Sequence, residues 1–266
     1  MKILVLVSLV LSFTYSQCDA NGDGLLNIVD IIVEVNCILE NCWENQPSCV
    51  DYDGNVYETV QIGDQHWMAE NLKTTHYSNG DEIVFINNHD SWDNYNTGYY
   101  AIYNNDQSNV EIHGNLYNWA AVNDNRGICP EGYHIPSDEE WSELVVYLDP
   151  EANPNAENHD ELHTEIAGGF LKDTGTIQGN NGFWEEPNLG ATNESGFSAL
   201  PSGLTNDENG NSDLMGYYLG YLAWFWTSTE IDDNLAWSRE LFWMGASIHR
   251  HSLTKNYGIS VRCLAD

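Results

Sequence analysis

Residues 134–148 read HIPSDEEWSELVVYL, and the order of residue types in this stretch sets the first fixed point of the fold. Pro136 lacks a backbone donor and disfavours helix at the residue before it, so the chain arrives extended. Ser137 follows with a hydroxyl for the unpaired N–H groups of a first turn. Glu140 stands three residues on, where its carboxylate can reach back to the Ser137 N–H. Trp141, Leu144, Val145 and Leu148 then recur at helical spacing on one face. The spacing predicts a helix after Pro136 whose apolar stripe must lie against a sheet or another helix.

Upstream, Asn55 to Ile62 (NVYETVQI) alternates, reverses at Gly63-Asp64 and resumes through His66-Trp67-Met68, which is a hairpin pattern. Downstream, a second helix with a fainter pattern is expected over Asp160 to Ala167. Alternation returns over Trp224 to Ser228, Leu235 to Trp243 and Gly258 to Cys263. Few helices and many short strands split by Gly, Asn and Asp indicate an α+β domain with many loops. Trp67, Trp119, Trp141 and Trp226 sit in patterned segments and are expected in its core.

The chain opens with MKILVLVSLVLSFTYS, which reads as an export signal over residues 1–16. Lys2 supplies the positive start, Ile3 to Phe13 the apolar run, and Thr14 and Ser16 the small residues before a cut at Gln17. Gln17 stands where a lipoprotein would need a small residue ahead of Cys18. No later stretch is apolar enough for a membrane span. The mature chain is therefore expected to be soluble and secreted, outside the cytoplasm or at the cell surface, where disulfides persist. Of the six cysteines, Cys18, Cys37, Cys42 and Cys49 lie early, and their pairing stays open. A bond between the two late ones, Cys129 and Cys263, would tie the last strand to the interior; two buried thiols are the alternative.

Acidic residues number 41 against 8 basic ones, for a net charge of −33, which excludes nucleic acid and anionic membranes as natural partners. Cations suit such a chain, and the dispersal of the carboxylates points to solubility in a salty medium. With 10 Trp, 15 Tyr and 7 Phe it is too aromatic to be disordered.

Residues 19–30, DANGDGLLNIVD, have the spacing of a calcium loop. Calcium takes six to eight hard oxygens from positions 1, 3, 5, 7, 9 and 12 of such a loop. Asp19, Asn21, Asp23, the Leu25 carbonyl, Asn27 and Asp30 occupy them, with Gly24 at the sharp turn. Ile28, Ile31, Ile32, Val35, Ile38 and Leu39 then predict an exiting helix. Loop plus exiting helix, with Asp rather than Glu at the last position, resembles one repeat of a dockerin module. Dockerins pair two repeats to bind a cohesin partner, and one repeat is present here, within residues 17–49.

Residues 50–266 carry a second resemblance. DYDGNVYETVQIGDQHWMAENLKTTHYSNGDEI (51–83), GNLYNWAAVNDNRGICPEGYHIPSDEEWSEL (114–144), GATNESGFSALPSG (190–203), FWTSTE (225–230) and YGISVRC (257–263) are similar, in order, to the Fibrobacter succinogenes major paralogous domain. That is a family of secreted bacterial proteins. HIPSDEEW and GISVRC also resemble segments of formylglycine-generating-enzyme-type domains, which have the C-type-lectin-like fold. The resemblance implies that fold here: two helices, short twisted antiparallel sheets, and long loops that carry binding.

An oxidase of the formylglycine-generating kind needs a cysteine pair in its late loops, and no cysteine lies between Cys129 and Cys263. Neither a GxSxG elbow nor an HExxH motif occurs. Glu139-Glu140 belongs to the helix start, and Glu185-Glu186 is too close in sequence for a glycosidase pair facing one bond. Glu186-Pro187-Asn188 matches a lectin sugar-binding tripeptide, but its Trp-Asn-Asp companion is missing, so coincidence is the better reading. Asp207, Asn209, Asn211 and Asp213 alternate around Gly210 and form a candidate second calcium site, with a solvated turn as the alternative. Tyr95, Tyr99, Tyr100 and Tyr103 lie among amides and glycines and are candidates for stacking on sugar faces. The expected function is non-catalytic binding of a polysaccharide or a surface protein, with calcium as the cofactor. The rivals are an enzyme acting on polysaccharide and a structural cell-surface protein.

Overall fold

In a computed structural model the chain divides into residues 1–47 and 48–266. The described residues are 49–87, 96–153, 164, 166–205 and 218–266. The export signal, the calcium loop 19–30 with its helix, Cys18, Cys37, Cys42, Tyr95 and the turn at 207–213 lie outside them. The second unit is mixed α and β, with few helices and short, mostly antiparallel sheets.

β1 (Thr59–Ile62) and β2 (Gln65–Met68) form the expected hairpin, with Ile62 opposite Gln65 across the Gly63-Asp64 turn. Gly63 takes φ +61° and lies against the Tyr147 ring, so both conformation and space call for glycine. β10 (Leu264–Ala265) pairs antiparallel with β2 and with β6 (Tyr133–His134), giving the order β1-β2-β10-β6. The last residues of the chain are thus an inner strand of its first sheet. β3 (Val84–Phe85), β4 (Tyr99–Ala101) and β5 (Leu116–Tyr117) form a second sheet, with β3 and β4 parallel. The third is an antiparallel meander of β7 (Leu222–Glu230), β8 (Leu235–Phe242) and β9 (Ile248–Thr254), with an irregular register between Trp226 and Glu230.

The sequence pattern missed β9, because His249, Arg250 and His251 put polar side chains where alternation looks for apolar ones. It also placed a strand over 258–263, where the chain makes isolated bridges instead. Ile259 pairs with Tyr117, Ser260 with Phe225 and Gly258 with Thr205. These partners belong to different elements, so no ladder develops.

Two four-residue helices, α1 (Val110–His113) and α2 (Trp119–Val122), flank β5. α3 (Asp138–Leu148) starts at the predicted place. Ser137 Oγ accepts from the Glu140 N–H, and the Glu140 carboxylate accepts from the Ser137 N–H at 2.7 Å. Trp141, Leu144 and Val145 are its buried face. α4 (Ala167–Leu171) begins where the fainter helix was expected to end. Its Gly168 and Gly169 lie flush on the backbones of Ser247 and Gly190, and that glycine pair blurs the helical pattern.

Trp67, Trp119, Trp141 and Trp226 are all buried. Trp67, Trp141, Phe197 and Phe225 form an aromatic knot beneath α3, with centroids 4.8 Å apart for Trp67–Trp141 and 5.6 Å for Trp141–Phe225. Cys129 and Cys263 form a disulfide across 134 residues of sequence. No helix among the described residues is long and apolar enough to cross a membrane.

Candidate ligand-binding trough

Of the tyrosines singled out by their neighbours, the three described ones, Tyr99, Tyr100 and Tyr103, do not make one platform. Tyr99 and Tyr100 are adjacent on β4, so their side chains leave on opposite faces, and both are half-buried. Tyr100 packs on Phe85 at 5.2 Å and faces Tyr117 at 6.5 Å. Tyr103 is only 8% exposed, in a 3-10 turn, with its ring 6.4 Å from His113. The Glu186-Pro187-Asn188 tripeptide has a cis peptide bond before Pro187. Its Asn188 amide donates to the carbonyls of Asp173 and Gly175, so that side chain holds a turn together.

Two open hollows adjoin at the end of α2. The first, about 800 Å³, has Tyr52, Ser78, Glu131, His134 and Ser228 in its walls. The second, about 540 Å³, is lined by Asn96, Asn125, Glu230, Asp233 and Lys255. Asn123 and Asp124 belong to both and form the wall between them. The second is mainly polar, whereas the first is walled as much by apolar residues such as Val50, Val122 and Pro130; together they make a trough.

Each end is built locally. The Asp51 carboxylate accepts from the Asn55 N–H at 2.9 Å and the Tyr57 hydroxyl at 2.5 Å, which folds residues 51–55 into a turn. Tyr52, at the tip, is 58% exposed and lies against Gly80, where a Cβ would collide with its ring. Asp53 beside it accepts from the Thr75 N–H at 2.5 Å and pairs with His76 at 2.5 Å. Burial alone would raise the Asp53 carboxyl, but the hydrogen bonds from Thr75 and His76 outweigh it and hold the group below its usual range.

In the shared wall, Asp124 is gripped by Arg126 through Nε at 2.8 Å and Nη2 at 2.7 Å, which lowers the carboxyl's pKa. At the far end the Lys255 ammonium sits 2.5 Å from Glu230, donates to the Asp232 carbonyl at 2.7 Å and lies over the Trp119 ring. Glu131, Asp233, Asn96, Asn123 and Asn125 are exposed to the trough. His134 is held between Asp266 at 2.8 Å and Glu140 at 2.9 Å.

This arrangement is suited to holding a ligand by hydrogen bonds from exposed amides and carboxylates, with the exposed Tyr52 ring at the rim. Among the described residues no three His, Cys, Asp or Glu side chains converge to hold a metal ion. Cys49 is a buried thiol; burial, against its hydrogen bond with Tyr133, pushes it up to about 12, so it is a poor nucleophile at neutral pH. Sequence reasoning missed the trough. Only Asn96 and the amide- and acid-rich NDNRG stretch (123–127) hinted at it, and that composition is equally that of a plain turn.

Residues 60–265 match the model of the Fibrobacter succinogenes major domain. Comparison with curated proteins and with solved structures returned no match.

Proposed function

Because the chain belongs to the Fibrobacter succinogenes major domain family, we propose that it is a secreted protein that binds an extended glycan along this trough without changing it. The observation that carries this reading is the pair of adjoining hollows with a common Asn123–Asp124 wall. Their polar lining offers donors and acceptors to sugar hydroxyls, and Tyr52 offers a flat face at one end.

On the same reading the architecture is C-type-lectin-like. The antiparallel neighbours β2 and β10 come from opposite ends of the domain, α3 packs on β7 and on α4, and loops separate the short elements. Residues 19–30 hold calcium through the oxygens of Asp19, Asn21, Asp23, Leu25, Asn27 and Asp30 and order the N-terminal segment, which is also where a cohesin-type partner would attach.

Immobilised polysaccharides probed with the full chain test the proposal. Saturable binding to at least one of them is expected, weakened about tenfold by Asn123→Ala with Tyr52→Ala. Release of a soluble sugar product would move the protein to the enzyme reading, and no binding to any polysaccharide would remove the glycan. The same surfaces probed after chelation test the calcium: binding that survives chelation and Asp19→Ala/Asp23→Ala unchanged separates calcium from recognition.

A further inference from the structure

Seven of the eight basic side chains lie among the described residues, and every one is held from within. Lys73 bonds Glu70 at 2.9 Å. Lys172 is fully buried and donates to the carbonyls of Leu189, Phe242 and Gly245. Arg239 and Arg250 converge on Asp138 at 2.7 and 2.6 Å. Arg262 is buried on the Asn71 side chain and on the carbonyls of Phe197 and Ser198.

Of the remaining two, Lys255 lines the second hollow and Arg126 stands behind Asp124, and each is already held by carboxylates, as is His134 in the first hollow by Glu140 and Asp266. Arg126 is clamped between Asp124 and Asp81 and stacks 3.7 Å over the Tyr77 ring. The Lys255 side chain is 6% exposed and has its ammonium occupied by Glu230, the Asp232 carbonyl and Trp119. Against these cations the lining sets five carboxylates: Asp51, which already accepts from the Asn55 N–H and the Tyr57 hydroxyl, and Asp124, Glu131, Glu230 and Asp233. Asp124 and Glu230 use up the two cations, which leaves Glu131 and Asp233 facing the ligand uncompensated. The surrounding surface has the same sign, since the chain carries 41 acidic residues. A concave site walled by one sign of charge concentrates ligands of the opposite sign and repels those of its own.

We infer that the trough selects by charge: its ligand is a glycan bearing protonated amines, preferred over a neutral one, while uronate and sulfated glycans are excluded. This rests on the glycan reading above and adds the class of sugar.

Calorimetry with the full chain separates the two claims. Three oligosaccharides of equal length are compared: a neutral glucose series, a glucosamine series and a galacturonate series. At low salt the glucosamine series is expected to bind about tenfold tighter than the neutral one. That ratio should shrink at high salt as the charges are screened, and galacturonate should not bind. Glu131→Gln/Asp233→Asn, both in exposed loops, should bring the ratio toward one whatever it does to neutral affinity, because the amides keep hydrogen-bonding groups in place and remove only the charge. Equal binding of neutral and amine sugars, or a ratio indifferent to salt or to the double variant, overturns the charge inference and leaves the glycan reading standing. Failure of the neutral and amine series alike overturns both. Oligolysine binding tighter than the glucosamine series assigns the trough to a basic protein segment and also overturns the inference.

Discussion

Asp138 shows how much a single side chain can carry. It is the first residue of α3, where an anion already suits the helix dipole. Its carboxylate accepts from Arg250 Nε and Nη2 and from Arg239 Nη2 at 2.6–2.9 Å, and the Arg250 guanidinium lies 3.2 Å from the Trp237 ring centroid. The Arg239 and Arg250 side chains are 0% and 10% exposed. Asp138→Ala would take this shared carboxylate away from two arginines that are at most one-tenth exposed. The expected loss of stability is about 3–5 kcal/mol, the usual cost of breaking a buried pair from one side, measured by urea denaturation. Sequence reading assigned Glu140 to the cap but not this role to Asp138, because the two arginines are about a hundred residues away. Tyr103 illustrates the same gap from the other side: its polar neighbours suggested a loop ring open to solvent, and the 3-10 turn tucks it against His113.

At the scale of elements, the start of α3 was legible to the residue. Pro136, Ser137 and Glu140 interact over three positions, and such contacts need no knowledge of the rest of the chain. The same element predicts a pH dependence. Burial works against charge on both His134 and Glu140. Hydrogen bonds override it: the imidazole donates to the Asp266 and Glu140 carboxylates, and the Glu140 carboxylate accepts from Ser137 and His134. The His134 pKa is therefore raised above 6.5, and that of Glu140 is lowered below 4.5. A raised histidine pKa gives stability that is full below 6.5 and lost as pH climbs through the folded value. A lowered carboxyl pKa gives stability that is full above 4.5 and lost as pH falls through the folded value. The penalty of His134→Gln, read as the difference from wild type in thermal unfolding, should be largest between pH 4.5 and 6.5. A penalty independent of pH would show that the imidazole acts by packing alone. The elements that escaped detection, β9 and α4, break their own patterns with ladder-paired polar residues and with close-packed glycines.

For the whole molecule, the Cys129–Cys263 disulfide joins the wall of the first hollow to the residue before β10. Closing a loop of 134 residues restricts the unfolded chain strongly. Cys129→Ala/Cys263→Ala is expected to lower stability by about 4–5 kcal/mol in a denaturant titration, with β10 pairing to β2 and β6 as the first contact weakened. Sequence by itself determined the helix after Pro136, the hairpin at Gly63-Asp64, the burial of four tryptophans and the family, because each is written in short-range order. Only the tertiary structure decided that the last strand runs inside the first sheet, that the described basic residues are spent within the fold, and that Asn123–Asp124 stands between two hollows. Lys73–Glu70 and Arg126–Asp124 are local, but the other contacts join residues tens to nearly two hundred positions apart, and neither periodicity nor capping reaches that far along a chain.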